Sequence, residues 1–225
     1  MFLYETHMHT HPVSACAVSS PEEMVRYYHK KNYAGIIVTD HFINGNTSCP
    51  KNFSWEKKIE FFARGFFRVK IEGEKCGVDV FFGLEYSYQG TDFLVYGLTP
   101  EFLFASPDFD KLEFKKFSET VRAEGAFLAQ AHPFRNEWWI SDPSPADPEF
   151  IDAIEVHNAS MSPEVNFKAF KFAEKHNLPM ISGSDAHCVG MRIPAGIALK
   201  KRAENIFDII DAIKSKQVEI LESSL

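Results

Sequence analysis

The sequence lacks the features that mark membrane and secreted proteins. No apolar run approaches the roughly 18 residues that a membrane-spanning helix needs. The first residues, Met1 to His7, show no basic region followed by an apolar stretch and a small-residue cleavage site. We therefore expect a soluble, cytoplasmic protein with no membrane partner.

Paired cysteines and an excess of positive charge are also missing. The four cysteines (Cys16, Cys49, Cys76 and Cys188) have no CxxC spacing, so we expect free thiols rather than disulfides. The 31 acidic residues outnumber the 24 basic ones and give a formal charge of -7, which argues against broad binding of duplex DNA.

What the chain does have is enough apolar sequence for a full core. Its 225 residues are 45% hydrophobic, which excludes intrinsic disorder. No internal repeat, low-complexity tract or interdomain linker is visible. The sequence therefore predicts one domain over residues 1–225.

Short apolar runs alternate with longer amphipathic stretches, as in a parallel sheet wrapped by helices. Ser20 and Glu23 form a capping-box pattern with Pro21 at the first helical position, and the helix is expected to reach about Lys31. Strands are expected at 2–5, 35–39, 78–84, 93–96, 126–131, 151–156, 179–182 and 218–221, with further helices near 54–75, 110–124, 163–176 and 203–215. Seven or eight parallel strands in this length favour a compact βα barrel.

Histidines and acids stand near the C-terminal ends of these predicted strands. In a βα barrel those ends converge on one face, so distant residues would meet around one cavity. The residues in such positions are His7, His9, Asp40, His41, Glu85, His132, His157, Asp185 and His187. His29 and His176 lie instead in charged helical stretches, where surface positions are expected.

The pair His7 and His9 is suited to binding one metal ion. Alternate residues of an extended segment point to the same side, so both imidazoles can face one cation. Imidazole with carboxylate favours zinc, manganese or iron. Glu85 has two oxygens and can bridge two cations, as metal pairs that activate one hydroxide require.

The motifs His7-Met-His9, Thr39-Asp40-His41, Glu85, His132-Pro133 and Ser184-Asp185-Ala-His187 resemble those of the PHP (polymerase and histidinol phosphatase) domain family. The resemblance spans essentially the whole chain. It implies a distorted seven-stranded βα (TIM-like) barrel whose C-terminal face holds two or three divalent metals. By motif match, His7, His9, Glu85 and Asp185 would hold the first metal, Glu85 and His132 the second, and His41 and His187 the third.

Two positions depart from the family's pattern. Where the family often has a histidine or aspartate after the His-x-His pair, this chain offers Cys16, with His11 as a rival. Near the fourth strand, Asp92 stands where the family often has a histidine. Cys16 is taken as a metal ligand of thiolate type, but a small core cysteine is an open alternative, and so is a solvent-facing role for Asp92.

The resemblance implies hydrolysis of phosphate esters by a metal-bridging hydroxide. Asp185 is placed to orient or deprotonate the water, and His157 is a candidate for protonating the leaving oxygen. Arg135 and Arg192 follow the His132 and His187 motifs, and their planar guanidinium groups would fit phosphate oxygens.

The expected substrate is a phosphomonoester of a small metabolite or nucleotide, or a short oligonucleotide, with no obligatory protein partner. A C-N hydrolase of the amidohydrolase type is an alternative, since that family also begins with His-x-His on a barrel strand. That family typically bridges its metals with a carbamylated lysine, and no lysine stands at an equivalent strand end. A metal-binding module without turnover is the second alternative.

Overall fold

A computed structural model describes residues 1–190 and 194–222 of the chain. The strands are β1 (Phe2–Glu5), β2 (Tyr33–Val38), β3 (Asp79–Tyr88), β4 (Thr91–Tyr96), β5 (Phe127–Gln130), β6 (Ala153–Asn158), β7 (Met180–Gly183), β8 (Gly196–Leu199) and β9 (Glu219–Leu221). The helices are α1 (Pro21–Lys30), α2 (Trp55–Cys76), α3 (Pro100–Ala105), α4 (Phe114–Ala123), α5 (Pro163–His176) and α6 (Ile206–Lys214).

The start of α1 is the capping box that the sequence predicts. The Ser20 hydroxyl accepts the Glu23 amide, and the Glu23 carboxylate accepts the Ser20 amide, so two amide groups at the helix start gain partners. Strand β8 and the six-residue helix α3 were not predicted.

The nine strands found in the described residues form one sheet in the order β7-β6-β5-β4-β3-β2-β1-β8-β9. The mixed α/β class is confirmed, but the expectation of seven or eight strands, all parallel, is not. β4 runs antiparallel to both β3 and β5, β8 runs antiparallel to β1, and β9 runs antiparallel to β8.

The reversal at β4 follows from the length of its connection. Only Gln89 and Gly90 join β3 to β4, and both have positive φ, at 52° and 86°. Two residues with positive φ make the tight turn of an antiparallel hairpin, whereas a parallel neighbour needs a crossover of about a dozen residues or more. The start of β4 therefore lies at the same edge of the sheet as the end of β3.

The two ends of the sheet approach each other and nearly close it into a barrel. Ser182 on β7 donates a hydrogen bond to the carbonyl oxygen of Leu221 on β9 at 2.7 Å, and its hydroxyl accepts the Gly196 amide at 3.3 Å. Buried residues such as Tyr4, Ile37, Leu94 and Ile181 form one cluster of the core. Among the described residues, no helix combines the length and apolar character needed to cross a membrane.

Candidate metal centre

Five histidines and two acids meet at one face of the sheet. His7 and His9 follow β1, His41 follows β2, His132 follows β5, and Asp185 and His187 follow β7, as the positions near strand ends predict. Glu85 lies inside β3 rather than after it. All of these side chains are buried except that of His187, which is half-buried.

The extended backbone after β1 places His7 and His9 on one side. Met8 lies between them and points into the core, where it is fully buried. Its amide donates to the Thr39 hydroxyl at 2.9 Å, and the Thr39 amide donates to the Met8 carbonyl oxygen at 3.1 Å. The pairing of β1 with β2 thus continues past the strand ends and fixes the direction of both imidazoles.

Glu85 is the centre of the cluster. Its Oε1 lies 3.2 Å from His7 Nε2 and 3.2 Å from His132 Nε2. Its Oε2 lies 2.6 Å from His41 Nδ1 and 3.5 Å from His9 Nε2. One carboxylate therefore faces four imidazoles, the arrangement expected of a ligand shared between cations.

Asp185 faces Nε2 of both His7 and His9, whereas Glu155 faces Nδ1 of His7. The Oδ1 of Asp185 is 3.2 Å from His9 Nε2 and 3.5 Å from His7 Nε2. Three overlapping groups have ligand atoms within 4.8 Å of one another: His7, His9 and Asp185; His7, Glu85 and His132; and His9, His41 and His187.

His41 and Glu85 provide a test of whether these residues fit a metal. His41 Nδ1 and Glu85 Oε2 are buried and close together, yet neither makes a hydrogen bond. A buried polar atom without a partner costs free energy, about 1–3 kcal/mol. A divalent cation held by both residues would give both atoms a partner, so the donor set fits divalent metals.

Outer partners leave Nε2 of three histidines free to face the cluster. His7 Nδ1 lies 2.9 Å from Glu155 Oε1, and His9 Nδ1 lies 3.2 Å from the Ser14 hydroxyl. His187 Nδ1 lies 2.9 Å from the carbonyl oxygen of Asp185. A proton on each Nδ1 is thereby favoured, and the lone pair of Nε2 becomes available to a metal.

Two fully buried acids, Glu155 and Glu5, hold the histidines and their backbone in place, and neither was predicted from the sequence. Glu155 Oε2 accepts the His132 amide at 2.8 Å and the Asn158 side-chain amide at 2.9 Å. Glu5 accepts the amides of His7 and Ser184 at 2.9 and 3.0 Å and so joins the segments after β1 and β7. Both stand within strands, where only the packing of neighbouring strands shows their partners.

Asp40 is a third buried acid that supports the histidines without facing the cluster directly. It accepts hydrogen bonds from the Thr10 amide and hydroxyl, both at 2.6 Å, and from the Ser14 hydroxyl at 2.7 Å. Burial raises its pKa to about 6, although these hydrogen bonds act in the opposite direction. In the described structure Asp40 supports the segment that carries His9.

The electrostatics of the cluster are strongly coupled. Burial alone would raise the pKa of Glu85 and Asp185, but the histidines around them outweigh it and hold both pKa values well below the usual range. Burial would lower the pKa of His7, and the charges of Glu155, Asp185 and Glu85 raise it well above normal instead. The carboxylates thus stay ionised, as metal ligands must.

A cleft of about 850 Å³ opens above the cluster. Arg135 and Trp139 form part of its wall, with the guanidinium 5.4 Å from the centre of the Trp139 ring. Arg135 Nε is buried without a hydrogen-bond partner, and Arg135 Nη1 lies 3.9 Å from Asp92 Oδ2. A guanidinium group thus lies in the wall of the cleft beside the candidate metal ligands.

Two predicted site residues, His157 and His11, do not join the cluster, and a third, Arg192, is not among the described residues. His157 is absent from the described lining of the cleft, and its Nδ1 lies 3.4 Å from Asn166 Nδ2 on α5. An irregularity in the pairing of β6 with β7 falls between Glu155 and His157, and Glu155 takes the inward position. His11 is exposed and belongs to none of the ligand groups found, and Arg192 lies outside the described residues.

Cys16 and Asp92 both line the cleft, whereas His29 and His176 are exposed on helices, as expected. The thiol of Cys16 interacts with His187 and His41, and these interactions outweigh its burial and lower its pKa to about 7. Asp92 is buried at the start of β4, with Oδ2 3.8 Å from His132 Nε2.

Several solved structures have a fold similar to that of this chain. The chain is similar to a two-domain protein from Bacteroides vulgatus that contains a predicted PHP-like metal-dependent phosphoesterase, with 17% identity and a TM-score of 0.75. The similarity covers 99% of this chain but 65% of that one, less than two thirds. A family model described as PHP-associated matches residues 163–218.

Residues 163–218 therefore resemble a PHP-associated family, and the chain as a whole shares its fold with a structure described as PHP-like. The PHP-type fold is also shared with an amidohydrolase from Chromobacterium violaceum, at 13% identity and a TM-score of 0.58, which covers 96% of this chain and 97% of that one. A lesion-specific endonuclease from Pyrococcus furiosus is also similar in fold, at 15% identity and a TM-score of 0.61, and the similarity covers 97% of this chain and 57% of that one. No curated protein matches the sequence.

Proposed function

We propose that this PHP chain is a metal-dependent hydrolase of phosphate esters. The ligands would be divided among two or three divalent ions of zinc, manganese or iron. The side chains assigned to them are His7, His9, Glu85 and Asp185 for the first ion, Glu85 and His132 for the second, and His41, His187 and Cys16 for the third.

One observation carries this proposal. His41 and Glu85, whose Nδ1 and Oε2 lie 2.6 Å apart without a hydrogen bond, line the same cleft as the guanidinium of Arg135. The first pair fits cations and the last fits an anion. A phosphate group suits both the metal-binding residues and the guanidinium, because its oxygens bind metals and accept guanidinium hydrogen bonds.

When bound, the metals would supply an activated water and neutralise charge on the phosphoryl oxygens. Arg135 would hold a further phosphate oxygen and orient the ester in the cleft. Asp185 would orient the attacking water through hydrogen bonding, while Asn158 Nδ2, 3.4 Å from Asp185 Oδ2, holds that carboxylate in place. Because the described cleft does not include His157, we assign it no proton transfer.

A C-N hydrolase is the second candidate, favoured by the shared fold of the amidohydrolase from Chromobacterium violaceum. Such enzymes use the same cations on a carbonyl carbon. No lysine is among the described residues that line the cleft, so the bridging lysine typical of that family has no counterpart there.

The test is a metal-loaded screen of phosphomonoesters, short oligonucleotides and amides, each with and without chelator. We expect chelator-sensitive phosphate release, which Glu85→Gln abolishes and which Glu60→Gln, at an exposed position of α2, leaves unchanged. Amide hydrolysis without phosphatase activity would support the second candidate. Metal binding with no turnover of any substrate would support a module that has no catalytic activity.

A further inference from the structure

The guanidinium group of Arg135 lies beside an aromatic ring and a carboxylate in the wall of the cleft. Its central carbon is 5.4 Å from the centre of the Trp139 ring, within the range of a cation–π contact. Its Nη1 is 3.9 Å from Asp92 Oδ2, which is an ion pair rather than a hydrogen bond. The buried Nε makes no hydrogen bond to any described residue. The orientation of the guanidinium therefore depends on the ring and on the carboxylate.

Trp139 is held in place by the β3–β4 hairpin. A Cβ added at Gly90, in the turn of that hairpin, would lie 2.8 Å from the carbonyl oxygen of Trp139 and 3.1 Å from Ile140 Cα. The Ile140 amide donates to the Glu137 carbonyl oxygen at 2.9 Å, which closes a turn. The backbone that carries Trp139 thus packs against the hairpin with no room for a side chain between them.

Asp92 is held by the same hairpin. The Ser87 hydroxyl donates to Asp92 Oδ1 at 2.5 Å, and the two residues are paired across β3 and β4. This hydrogen bond leaves Oδ2 to face Arg135 and also His132, whose Nε2 is 3.8 Å away. The hairpin therefore positions both neighbours of the guanidinium, one within its own strand and the other through its turn.

The adjacent Trp138 differs from Trp139 in its surroundings. Its side chain is 90% exposed, against 46% for Trp139, and the two rings meet edge to face at 5.5 Å. Trp138 is also absent from the described lining of the cleft, to which Trp139 and Arg135 both belong. Contact with the guanidinium thus distinguishes two tryptophans that are neighbours in the sequence.

We propose that Trp139 and Asp92 are positioning residues that hold the Arg135 guanidinium in one orientation in the cleft, and that its fixed charge selects phosphomonoesters over phosphodiesters. A monoester carries about 1.5 to 2 negative charges near neutral pH, and a diester carries a single one. A cation held in place therefore stabilises the monoester more strongly, whereas a mobile one discriminates less. This inference rests on the proposed function, whose substrate class it narrows, but its measurements do not require turnover.

The first test measures the mobility of the guanidinium. Nitrogen-15 relaxation of the Arg135 Nε–H group is recorded on protein supplied with zinc, and Arg135→Lys assigns the signal by removing it. We expect an order parameter of about 0.85 in the parent protein and below about 0.6 in Trp139→Ala. Trp139→Phe, which keeps an aromatic face, should stay close to the parent value.

Two further variants complete this test. Trp138→Ala is the matched control and should leave the order parameter of the Arg135 Nε–H group unchanged. Asp92→Asn should lower it, because the amide can still accept the Ser87 hydrogen bond but no longer attracts the guanidinium as a charge. Circular dichroism confirms that each variant is folded.

The second test measures selectivity by calorimetry, with inorganic phosphate and dimethyl phosphate as probes of the two charge states. The parent protein, supplied with zinc, should bind inorganic phosphate more tightly than dimethyl phosphate. Trp139→Ala should weaken binding of inorganic phosphate roughly 3- to 10-fold and binding of dimethyl phosphate less than about 2-fold. A purely structural role for Trp139 would weaken both ligands equally.

The inference is overturned if the Arg135 Nε–H group is mobile in the parent protein, if Trp138→Ala mobilises it as much as Trp139→Ala, or if Trp139→Ala weakens both ligands equally. Phosphate release is a separate readout. A protein with the ordered guanidinium and the selective loss of binding, but with no hydrolysis of any phosphate ester, would refute the function and support the inference. An active phosphatase in which Trp139→Ala changes neither measurement would do the reverse.

Discussion

His7 and His9 are separated by one residue and are equally buried. Their surroundings nevertheless shift the pKa values of the two imidazoles in opposite directions. The pKa of His7 is raised well above its usual value because Glu155, Asp185 and Glu85 face it. Burial, together with the charges of His41 and His187, lowers the pKa of His9 to about 3. Burial alone therefore does not determine the charge of an imidazole; its second ring nitrogen and its neighbours do.

The difference has consequences for metal binding. The carboxylate of Glu155 makes the His7 ring more electron-rich and a stronger ligand, whereas the Ser14 hydroxyl does this less for His9. We therefore expect the His7 side of the cluster to hold its cation more tightly. Substitutions on the two sides should test this comparison directly.

The largest effect is expected at Glu85, which faces both histidines. Glu85→Gln removes the charge shared between the cations, so turnover should fall roughly 10³- to 10⁴-fold, with loss of bound metal. Elemental analysis and phosphate release measure the two losses. Retention of full metal content and activity would remove Glu85 from the site.

Glu155→Gln should act mainly on the His7 side. The carboxylate accepts hydrogen bonds from His7, His132 and Asn158, and an amide has too few acceptors for all three. Metal affinity should fall by about 10- to 100-fold. Metal-buffered titration measures this change, and Glu60→Gln serves as the exposed control.

Gly183→Ala should disturb the same side through packing. A Cβ at this position would lie 2.8 Å from Glu155 Oε1 and press directly against His7 Cβ. We expect a loss of stability of about 1–3 kcal/mol and weaker metal binding, both read from thermal unfolding with and without metal. An unchanged unfolding temperature would show that the backbone of β7 shifts to accommodate the added methyl group without loss of stability.

The smallest effect on metal affinity is expected from Ser14→Ala, on the His9 side. The substitution removes a neutral partner of His9 Nδ1, so affinity should fall only a few-fold. Stability should fall more clearly, because the buried Asp40 loses a donor. If Ser14→Ala weakened metal binding more than Glu155→Gln, the comparison between the two sides would be wrong.

The sequence was informative wherever a ligand follows a parallel strand. His7, His9, His41, His132 and Asp185 were predicted because the ends of parallel strands collect at one face whatever their order in the sheet. Their convergence did not depend on knowing which strands are neighbours. Helix α1 was predicted for a similar reason, since its capping box is local.

Residues whose partners come from across the sheet were not predictable. Glu155 lies inside β6, and its contacts with His7 and His132 exist only after β1, β5 and β6 have taken their places. Asp92 reaches the cleft because β4 runs backwards, which a chain expected to be all parallel did not suggest. His157 does not line the described cleft, and the irregularity in the pairing of β6 beside it cannot be seen in the sequence.

The hydrogen bonds between Glu5 and Ser184 join residues 179 positions apart, and this separation has a consequence in time. A ribosome exposes His7 and His9 long before Asp185 and His187, because the two pairs are separated by most of the sheet. Until then the first two histidines offer a cation an incomplete set of ligands. A complete set of ligands would therefore exist only after β7 has been made and has joined the sheet, so that metal binding would be coupled to folding of the barrel rather than to its first strand.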